Sequence, residues 1–147
     1  MAIISQDHDV SAQQLSDIAI HAYQQYVDAI GKPPAPMTAD YQHHLDNDII
    51  FTAKQDDIII GFAIIIEKED GFWLETIAIH PDHSGKGIGT SLMSSIEAHL
   101  RPKTDRYQLY TNEVMIRAQS WYKQLGFRET SRHNASGFMR IYYQKSL

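Results

Sequence analysis

Three glycines at alternate positions mark the segment of this sequence that is best suited to bind a phosphate group. They lie between an apolar stretch typical of a strand and a pattern typical of a helix, in the run Ser84-Gly85-Lys86-Gly87-Ile88-Gly89-Thr90. Because glycine has no Cβ, main-chain amides in this run can approach a ligand closely. The first amides of the following helix lack helical acceptors and carry the positive end of the helix dipole. The run therefore predicts a cradle for a phosphate or a pyrophosphate.

Two common phosphate-binding loops do not match this run. A Walker loop requires Gly-Lys-Ser/Thr after four spacer residues, whereas Lys86 lies between glycines. The dinucleotide fingerprint Gly-x-Gly-x-x-Gly needs its third glycine at position 90, which is Thr90, and Gly89 comes one place early. These mismatches argue against a Walker-type NTPase and a nicotinamide enzyme. A strand-to-helix turn that uses glycine only for its backbone freedom stays open.

The spacing of apolar residues predicts the elements that hold this run. Helical spacing predicts helices over residues 11–30, 38–45, 89–100 and 115–125. Alternation and β-branched content predict strands over residues 3–4, 49–53, 58–66, 72–79, 106–111, 127–133 and 138–144. Ser11 with Gln14 forms a capping box for the first helix, Gly31 ends that helix, and Thr38 is the expected cap of the second.

The resulting order is β-α-α-β-β-β-α-β-α-β-β, which indicates an α/β fold with a mixed (α+β) sheet. The strands over residues 72–79 and 106–111 are joined through a helix, so they are expected to be parallel and connected by a right-handed crossover.

Length and composition restrict the class of function. The chain has 147 residues, is 43% hydrophobic and carries a formal net charge of −5, which predicts one globular domain over residues 1–147. The acidic balance argues against binding of a nucleic-acid backbone, and no apolar run reaches the roughly 18 residues that span a membrane. The sequence has no cysteine, which excludes disulfides and thiol nucleophiles. The N-terminal residues do not resemble a signal peptide, and a cytoplasmic location is expected.

The eight histidines do not predict a metal site. His43 and His44 are adjacent and point apart, and Pro81 breaks any helical register between His80 and His83. A structural or catalytic metal needs three or four converging ligands, so no metal is expected.

Two motifs in the right order resemble the GCN5-related N-acetyltransferase (GNAT) family. That family carries Gln/Arg-x-x-Gly-x-Gly/Ala after its fourth strand, where this chain has Ser84-Gly85-Lys86-Gly87-Ile88-Gly89. The late helix of the family, with its tyrosine and Leu-Gly-Phe ending, resembles Ala118-Gln119-Ser120-Trp121-Tyr122-Lys123-Gln124-Leu125-Gly126-Phe127. The segments 109–113 and 137–140 resemble one uncharacterised bacterial branch. The resemblance covers nearly the whole chain from Ser11 onward and implies the GNAT acyl-CoA N-acyltransferase fold.

The resemblance implies acetyl-CoA as co-substrate, with its pyrophosphate held by the glycine run. The expected contacts are Ser84, Gly85, Lys86, Gly87, Ile88, Gly89 and Thr90. Ser84 departs from the usual Gln or Arg, so a long polar side chain is missing at the start of the run. Lys86 is the candidate for a compensating charge, and the main-chain amides do not depend on the change.

The resemblance also implies that the pantetheine arm pairs like an extra strand with Ile77, Ala78 and Ile79. A bulge in the strand over residues 72–79 would separate it from the parallel strand and free the amides of both. An amide near Ile77 or Ala78 would then stabilise the oxyanion of the tetrahedral intermediate. Asn112 is expected either to contact the cofactor arm or the acceptor, or to end its strand in an Asx turn.

Two side chains are candidates for proton transfer. Glu75, or a water that it holds, would take a proton from the acceptor amine, which is protonated at neutral pH because its pKa is about 10. The alternative for Glu75 is a solvated or salt-bridged strand residue. Tyr122 matches the family's usual general acid for the leaving thiolate, and from periodicity alone it is a core aromatic.

The sequence does not identify the acceptor, which is an amine of a small molecule or a peptide. Nucleic-acid and membrane partners are not expected, and a homodimer is compatible with the sequence. The alternative function is a non-catalytic acyl-CoA-binding or sensor domain on the same fold, because fold does not fix function. Ser84 favours this alternative, whereas Glu75 and Tyr122 favour the enzyme.

Overall fold

The structure is a computed structural model that describes residues 2–147. These residues form one seven-stranded sheet in the order β1-β2-β3-β4-β5-β7-β6. The strands are β1 (Ile3–Gln6), β2 (Ile49–Gln55), β3 (Ile58–Lys68), β4 (Gly71–Ile79), β5 (Arg106–Asn112), β6 (Arg128–Ala135) and β7 (Phe138–Ser146). The α-helices are α1 (Ala12–Tyr23), α2 (Val27–Ile30), α3 (Tyr41–Asn47), α4 (Ile88–Leu100) and α5 (Ile116–Gln124). Short 3₁₀ segments occupy Gln24–Tyr26, Ala35–Met37 and Pro81–His83.

The pairing of the strands confirms the predicted mixed sheet. The pairs β1–β2, β2–β3 and β3–β4 are antiparallel, and β4 and β5 are parallel. Strand β7 lies between β5 and β6 and is antiparallel to both. Helix α4 connects β4 to β5, as expected for a crossover between parallel strands.

The prediction of one unbroken helix over residues 11–30 is wrong, because the helix is interrupted. Its capping box is confirmed, because the Gln14 amide donates to Ser11 Oγ at 3.1 Å and the Ser11 amide donates to Gln14 Oε1 at 2.8 Å. The α-helix ends at Tyr23, however, and a 3₁₀ segment separates it from α2, which stops at Gly31 with a φ of 88°. The apolar spacing continues across this break, so the periodicity gave no sign of it.

The predicted cap of the second helix is also wrong. Asp40 caps α3, and its side chain accepts a hydrogen bond from the His43 amide at 3.1 Å. Thr38 instead ends the preceding 3₁₀ segment, where its amide donates to the Ala35 carbonyl at 3.1 Å. The prolines before it set up that tighter turn, which delays the helix until Tyr41.

Apolar residues are buried on both faces of the sheet. On the face covered by α4 and α5, which we call the α4 face, Ala63 and Ile65 of β3 join a cluster with Leu92 and Ile96. We call the opposite face the α1 face. There the alternate β3 residues Phe62 and Ile64 pack with α1 and α3. Strand β3 therefore contributes to both clusters, which explains its nearly continuous apolar sequence.

A buried carboxylate links α4 to β5 and β7. Glu97 is 6% exposed; its Oε2 accepts a hydrogen bond from the Tyr107 hydroxyl at 2.6 Å and pairs with Lys145 Nζ at 2.7 Å. Arg101 lies 3.4 Å from its other oxygen. Burial and the adjacent Glu97 raise the pKa of Tyr107, so its hydroxyl stays protonated and donates to the carboxylate.

We expect Glu97→Ala to lower the free energy of unfolding by about 3 kcal/mol, because it leaves the Tyr107 hydroxyl and the Lys145 ammonium without their buried partner. Urea unfolding monitored by circular dichroism measures the change. Glu129→Ala is the matched control, since Glu129 pairs with Arg132 at the surface and its loss should leave stability almost unchanged. Equal effects of the two substitutions would contradict a structural role for the Glu97 cluster.

Candidate active site

A β-bulge at Glu75 opens the sheet between β4 and β5. Ile65 pairs with Leu74 and Ile64 pairs with Thr76, so Glu75 is the extra residue on β4. The parallel pairing with β5 covers only Trp73 and Leu74. Beyond this point the two strands diverge, which is the separation that the sequence analysis anticipated.

A cleft of about 280 Å³ occupies the gap between the diverging strands. Its walls come from β4, β5, β7, α5 and the segments that follow α1. It brings together six residues that the sequence nominated, namely Glu75, Ile77, Ala78, Ile79, Asn112 and Tyr122. The residues of the glycine run do not line this cleft.

The amides of Ile77 and Ile79 face the gap, whereas that of Ala78 faces β3. The His80 amide donates to the Ile60 carbonyl of β3 at 2.8 Å, which fixes the alternation of amide directions along this end of β4. In agreement, the Ile77 carbonyl accepts a hydrogen bond from the Tyr23 hydroxyl at 2.9 Å rather than from β3. Of the two amides considered for an oxyanion, only that of Ile77 is directed into the cleft.

The glycine run forms a left-handed turn at the start of α4. Gly85 and Gly87 have φ of 75° and 79°, and apart from their chain neighbours no atom of residues 2–147 lies within 4 Å of the position that a Cβ would take on either one. Gly87 is the N-cap and supplies no side chain, and the first helical bond is donated by Ser91. The amides of Ile88, Gly89 and Thr90 therefore remain without a helical acceptor.

Trp121 connects the glycine run to the cleft. A Cβ on Gly89 would lie 3.2 Å from two ring atoms of Trp121, and the same side chain lines the cleft. Even an alanine at position 89 would therefore require the ring to shift by a few tenths of an ångström. The sequence analysis did not assign a role to Trp121 in binding.

Ser84 and Lys86 differ in their availability to a ligand. The Ser84 hydroxyl donates to the Pro81 carbonyl at 2.9 Å, so its proton is used within the loop. The Lys86 side chain is exposed, and it forms no ion pair in the described part of the chain. Ile88 is buried in the α4-face cluster, so only its main chain is accessible.

Tyr122 is both a core residue and a wall of the cleft. It is 7% exposed and its ring packs against Phe127 and Tyr143, with centroid distances of 5.8 and 6.2 Å. Within residues 2–147 its hydroxyl has no hydrogen-bond partner. Burial, together with the nearby Tyr26 and Tyr143, raises the pKa of Tyr122, which keeps the hydroxyl protonated at neutral pH.

Asn112 forms the Asx turn that was one of its two expected roles. Its Oδ1 accepts a hydrogen bond from the Val114 amide at 3.0 Å. Gln119, which is 9% exposed, donates to the carbonyls of Asn112 and Glu113 at 3.2 and 2.8 Å. These bonds hold the connection from β5 to α5 and thereby position Tyr122 on its helix.

The described part of the chain contains no group of three or more His, Asp or Glu side chains arranged to hold a metal ion. No helix within residues 2–147 combines the length and hydrophobicity needed to cross a bilayer.

The fold and the motifs together define an acetyltransferase of the GNAT class. The family model described as an acetyltransferase (GNAT) domain matches residues 46–129, which is more than half of the sequence. The chain therefore belongs to the GNAT acetyltransferase family. No curated protein sequence matches it significantly.

Solved structures of low sequence identity share the fold. The ribosomal-protein-S18-alanine N-acetyltransferase from Escherichia coli is 19% identical with a TM-score of 0.79, covering 99% of this chain and 94% of that chain. The PaiA N-acetyltransferase from Thermoplasma acidophilum, in complex with coenzyme A, is 14% identical with a TM-score of 0.79 and covers 100% and 99%. A GNAT family acetyltransferase from Elizabethkingia anophelis with acetyl-CoA bound is 16% identical with a TM-score of 0.71, covering 99% and 98%.

Proposed function

We propose that this protein transfers the acetyl group of acetyl-CoA to an amine. The observation that carries the proposal is the gap beyond the Glu75 bulge, into which the Ile77 and Ile79 amides point. The complexes of the fold relatives with coenzyme A or acetyl-CoA support this choice of co-substrate.

The residues around the gap fit the chemical groups of acetyl-CoA. The amides of Ile88, Gly89 and Thr90 offer donors to a pyrophosphate at the positive end of α4. The amide of Ile79 offers a donor to an amide carbonyl of a pantetheine arm, which would lie along β4 as an added strand. The amide of Ile77 is then left for the thioester oxygen. A bound arm would bring the thioester toward the end of the gap where Glu75 and Tyr122 meet the cleft.

The transfer itself needs two proton movements. Glu75, directly or through a water, accepts a proton from the ammonium form of the acceptor, and the free amine attacks the thioester carbonyl. The Ile77 amide donates a hydrogen bond to the oxyanion of the tetrahedral intermediate. When the C–S bond breaks, the Tyr122 hydroxyl donates its proton to the leaving thiolate and regains one from the acceptor nitrogen, and the products are an amide and coenzyme A.

Two measurements test the proposal. Calorimetry with acetyl-CoA should detect binding, and a thiol-release assay against a panel of amines should detect turnover. Binding without turnover for any amine would replace the enzyme with the acyl-CoA sensor. Failure of acetyl-CoA to bind at millimolar concentration would overturn the proposal.

The glycine run yields a prediction that separates main-chain from side-chain binding. Ser84→Ala should leave the Kd for coenzyme A within about twofold, because the hydroxyl already donates to Pro81. Lys86→Ala should weaken binding by about three- to tenfold and reduce its salt dependence, because it removes an exposed cation next to the cradle. Calorimetry at low and high salt measures both effects. A larger loss for Ser84→Ala than for Lys86→Ala would contradict this division of roles.

A further inference from the structure

The cleft carries two opposite charges that do not pair with each other. Glu75 lies at the bulge of β4, and Arg140 lies on β7 opposite Asn112 of β5; both line the cleft. No ion pair in residues 2–147 involves either side chain. Burial is the main cause of the raised pKa of Tyr110. Glu75 raises that pKa further, whereas Arg140 lowers it, so both charges act on the Tyr110 hydroxyl.

Arg140 is held in place without a carboxylate partner. Its guanidinium lies over the ring of Tyr110, with its central carbon 4.0 Å from the ring centroid, and the side chain is half-buried. Stacking on an aromatic ring restrains a guanidinium and directs its N–H groups outward in the plane of the group. Such a group is suited to bind a planar carboxylate through two parallel hydrogen bonds.

The position of Arg140 in the sheet argues against a role in holding the pyrophosphate. Its neighbours on β7, Ile141 and Tyr143, belong to the cluster on the α4 face, so Arg140 projects from the α1 face. Leu109 of β5 also belongs to that cluster, so the adjacent Tyr110 projects from the α1 face as well. The glycine run lies at the start of α4, on the other side of the sheet.

Two segments that contribute residues to the cleft contact each other. Lys32 Nζ donates to the Gly137 carbonyl at 2.9 Å and lies 4.2 Å from the ring centroid of Phe138. This contact joins the proline-rich segment after α2 to the β6–β7 turn, and Pro34, Pro36 and Phe138 all line the cleft. The cleft, of about 280 Å³, must hold the end of the pantetheine arm as well as the acceptor, which favours a compact acceptor.

We propose that the acceptor is a small amino acid-type zwitterion, whose amine is directed to Glu75 and whose carboxylate is bound by Arg140. This inference rests on the proposed acetyl transfer and names the substrate class for that site. The reaction forms the N–C bond of the acetamide and breaks the C–S bond of the thioester. The ammonium group loses two protons. One passes to Glu75 and on to solvent, and the other leaves the nitrogen as the tetrahedral intermediate collapses and replaces the proton that Tyr122 gives to the thiolate. The carboxylate is unchanged.

Pairs of acceptors that differ only in the carboxylate test the proposal. Glycine, β-alanine, γ-aminobutyrate, leucine and phenylalanine are compared with the amines that lack their carboxyl group, and 2-aminoethylphosphonate distinguishes a carboxylate from another anion. We expect at least one amino acid to exceed its decarboxylated partner by about 100-fold in kcat/KM. A panel in which the plain amines are preferred throughout, or in which the phosphonate exceeds every carboxylate, would overturn the proposal.

Arg140→Ala should lower kcat/KM for the preferred amino acid by about 100-fold, mainly through KM, and should remove most of the discrimination. Arg140→Lys should restore part of it. Arg132→Ala is the matched control, because Arg132 lies exposed on the neighbouring strand and pairs with Glu129. This variant should prefer an amino acid over its decarboxylated partner by the same factor as the unmodified protein. An Arg140→Ala variant that loses activity equally on both members of a pair would refute carboxylate recognition.

Calorimetry distinguishes the two levels of failure. If acetyl-CoA binds and plain amines are acetylated without any benefit from a carboxylate, the acceptor class is wrong while the transferase stands. If acetyl-CoA binds and neither panel is turned over, the acceptor class falls together with the enzyme. If acetyl-CoA does not bind, the proposed function fails first.

Discussion

Replacing Tyr122 by phenylalanine is expected to lower kcat by about 100-fold or more while leaving the Kd for coenzyme A nearly unchanged. The substitution removes one hydroxyl from a ring that is otherwise packed by Phe127 and Tyr143, so the fold should be retained. A general acid contributes roughly 10²–10⁴ in rate, and without it the thiolate must leave unprotonated. Steady-state kinetics with saturating acetyl-CoA and the best acceptor measure the change.

The pH dependence provides a second measure of the same role. Because burial raises the pKa of Tyr122, its hydroxyl remains protonated over the whole range in which the unmodified protein can be assayed. The rate should therefore show no decline from Tyr122 as the pH rises to about 10, the ordinary pKa of tyrosine. A decline near neutral pH that disappears in Tyr122→Phe would contradict this assignment of the proton.

Tyr143→Phe is the control for packing. The Tyr143 hydroxyl is buried and has no hydrogen-bond partner among residues 2–147, and the residue does not line the cleft. Removing that hydroxyl should leave kcat unchanged and should not destabilise the protein, because no hydrogen bond is lost. If both phenylalanine variants reduce turnover alike, Tyr122 acts through the core rather than on the thiolate.

Local sequence signals predicted the elements, because each depends on neighbours a few residues apart. The Ser11–Gln14 capping box and the turn of the glycine run before α4 are two examples. The bulge at Glu75 does not, since no glycine or proline occurs at that point of β4 and the extra residue appears only in the register with β3. A resemblance to the family suggested a bulge in this strand, and the pairing located it.

The acceptor side of the cleft depended on long-range pairing. Arg140 reaches Tyr110 only because β7 inserts between β5 and β6, an order that the periodicity of either strand does not specify. The sequence likewise did not indicate that Tyr23 contacts the cleft, because its hydrogen bond to the Ile77 carbonyl joins the end of α1 to the distant strand β4. The single domain, the cytoplasmic location and the absence of nucleic-acid partners stay predictions.

Glu75→Gln is expected to lower kcat/KM by about 100-fold near neutral pH, with little change in coenzyme A affinity. Glutamine keeps the size of the side chain at the bulge but cannot accept a proton from the acceptor ammonium. The variant can use only acceptor that is already in its free-amine form, so its rate should rise as the acceptor ammonium loses its proton at alkaline pH.

Glu67→Gln removes the same charge from an exposed position of β3 and is the matched control. It should leave both the rate and the pH profile as they are in the unmodified protein. The comparison separates proton transfer from the general electrostatic effect of Glu75, which also raises the pKa of Tyr41 and Tyr110 on the α1 face. An unchanged kcat/KM near neutral pH in Glu75→Gln would mean that another group, or water alone, takes the proton, and Glu75 would then serve only to attract the ammonium form of the acceptor.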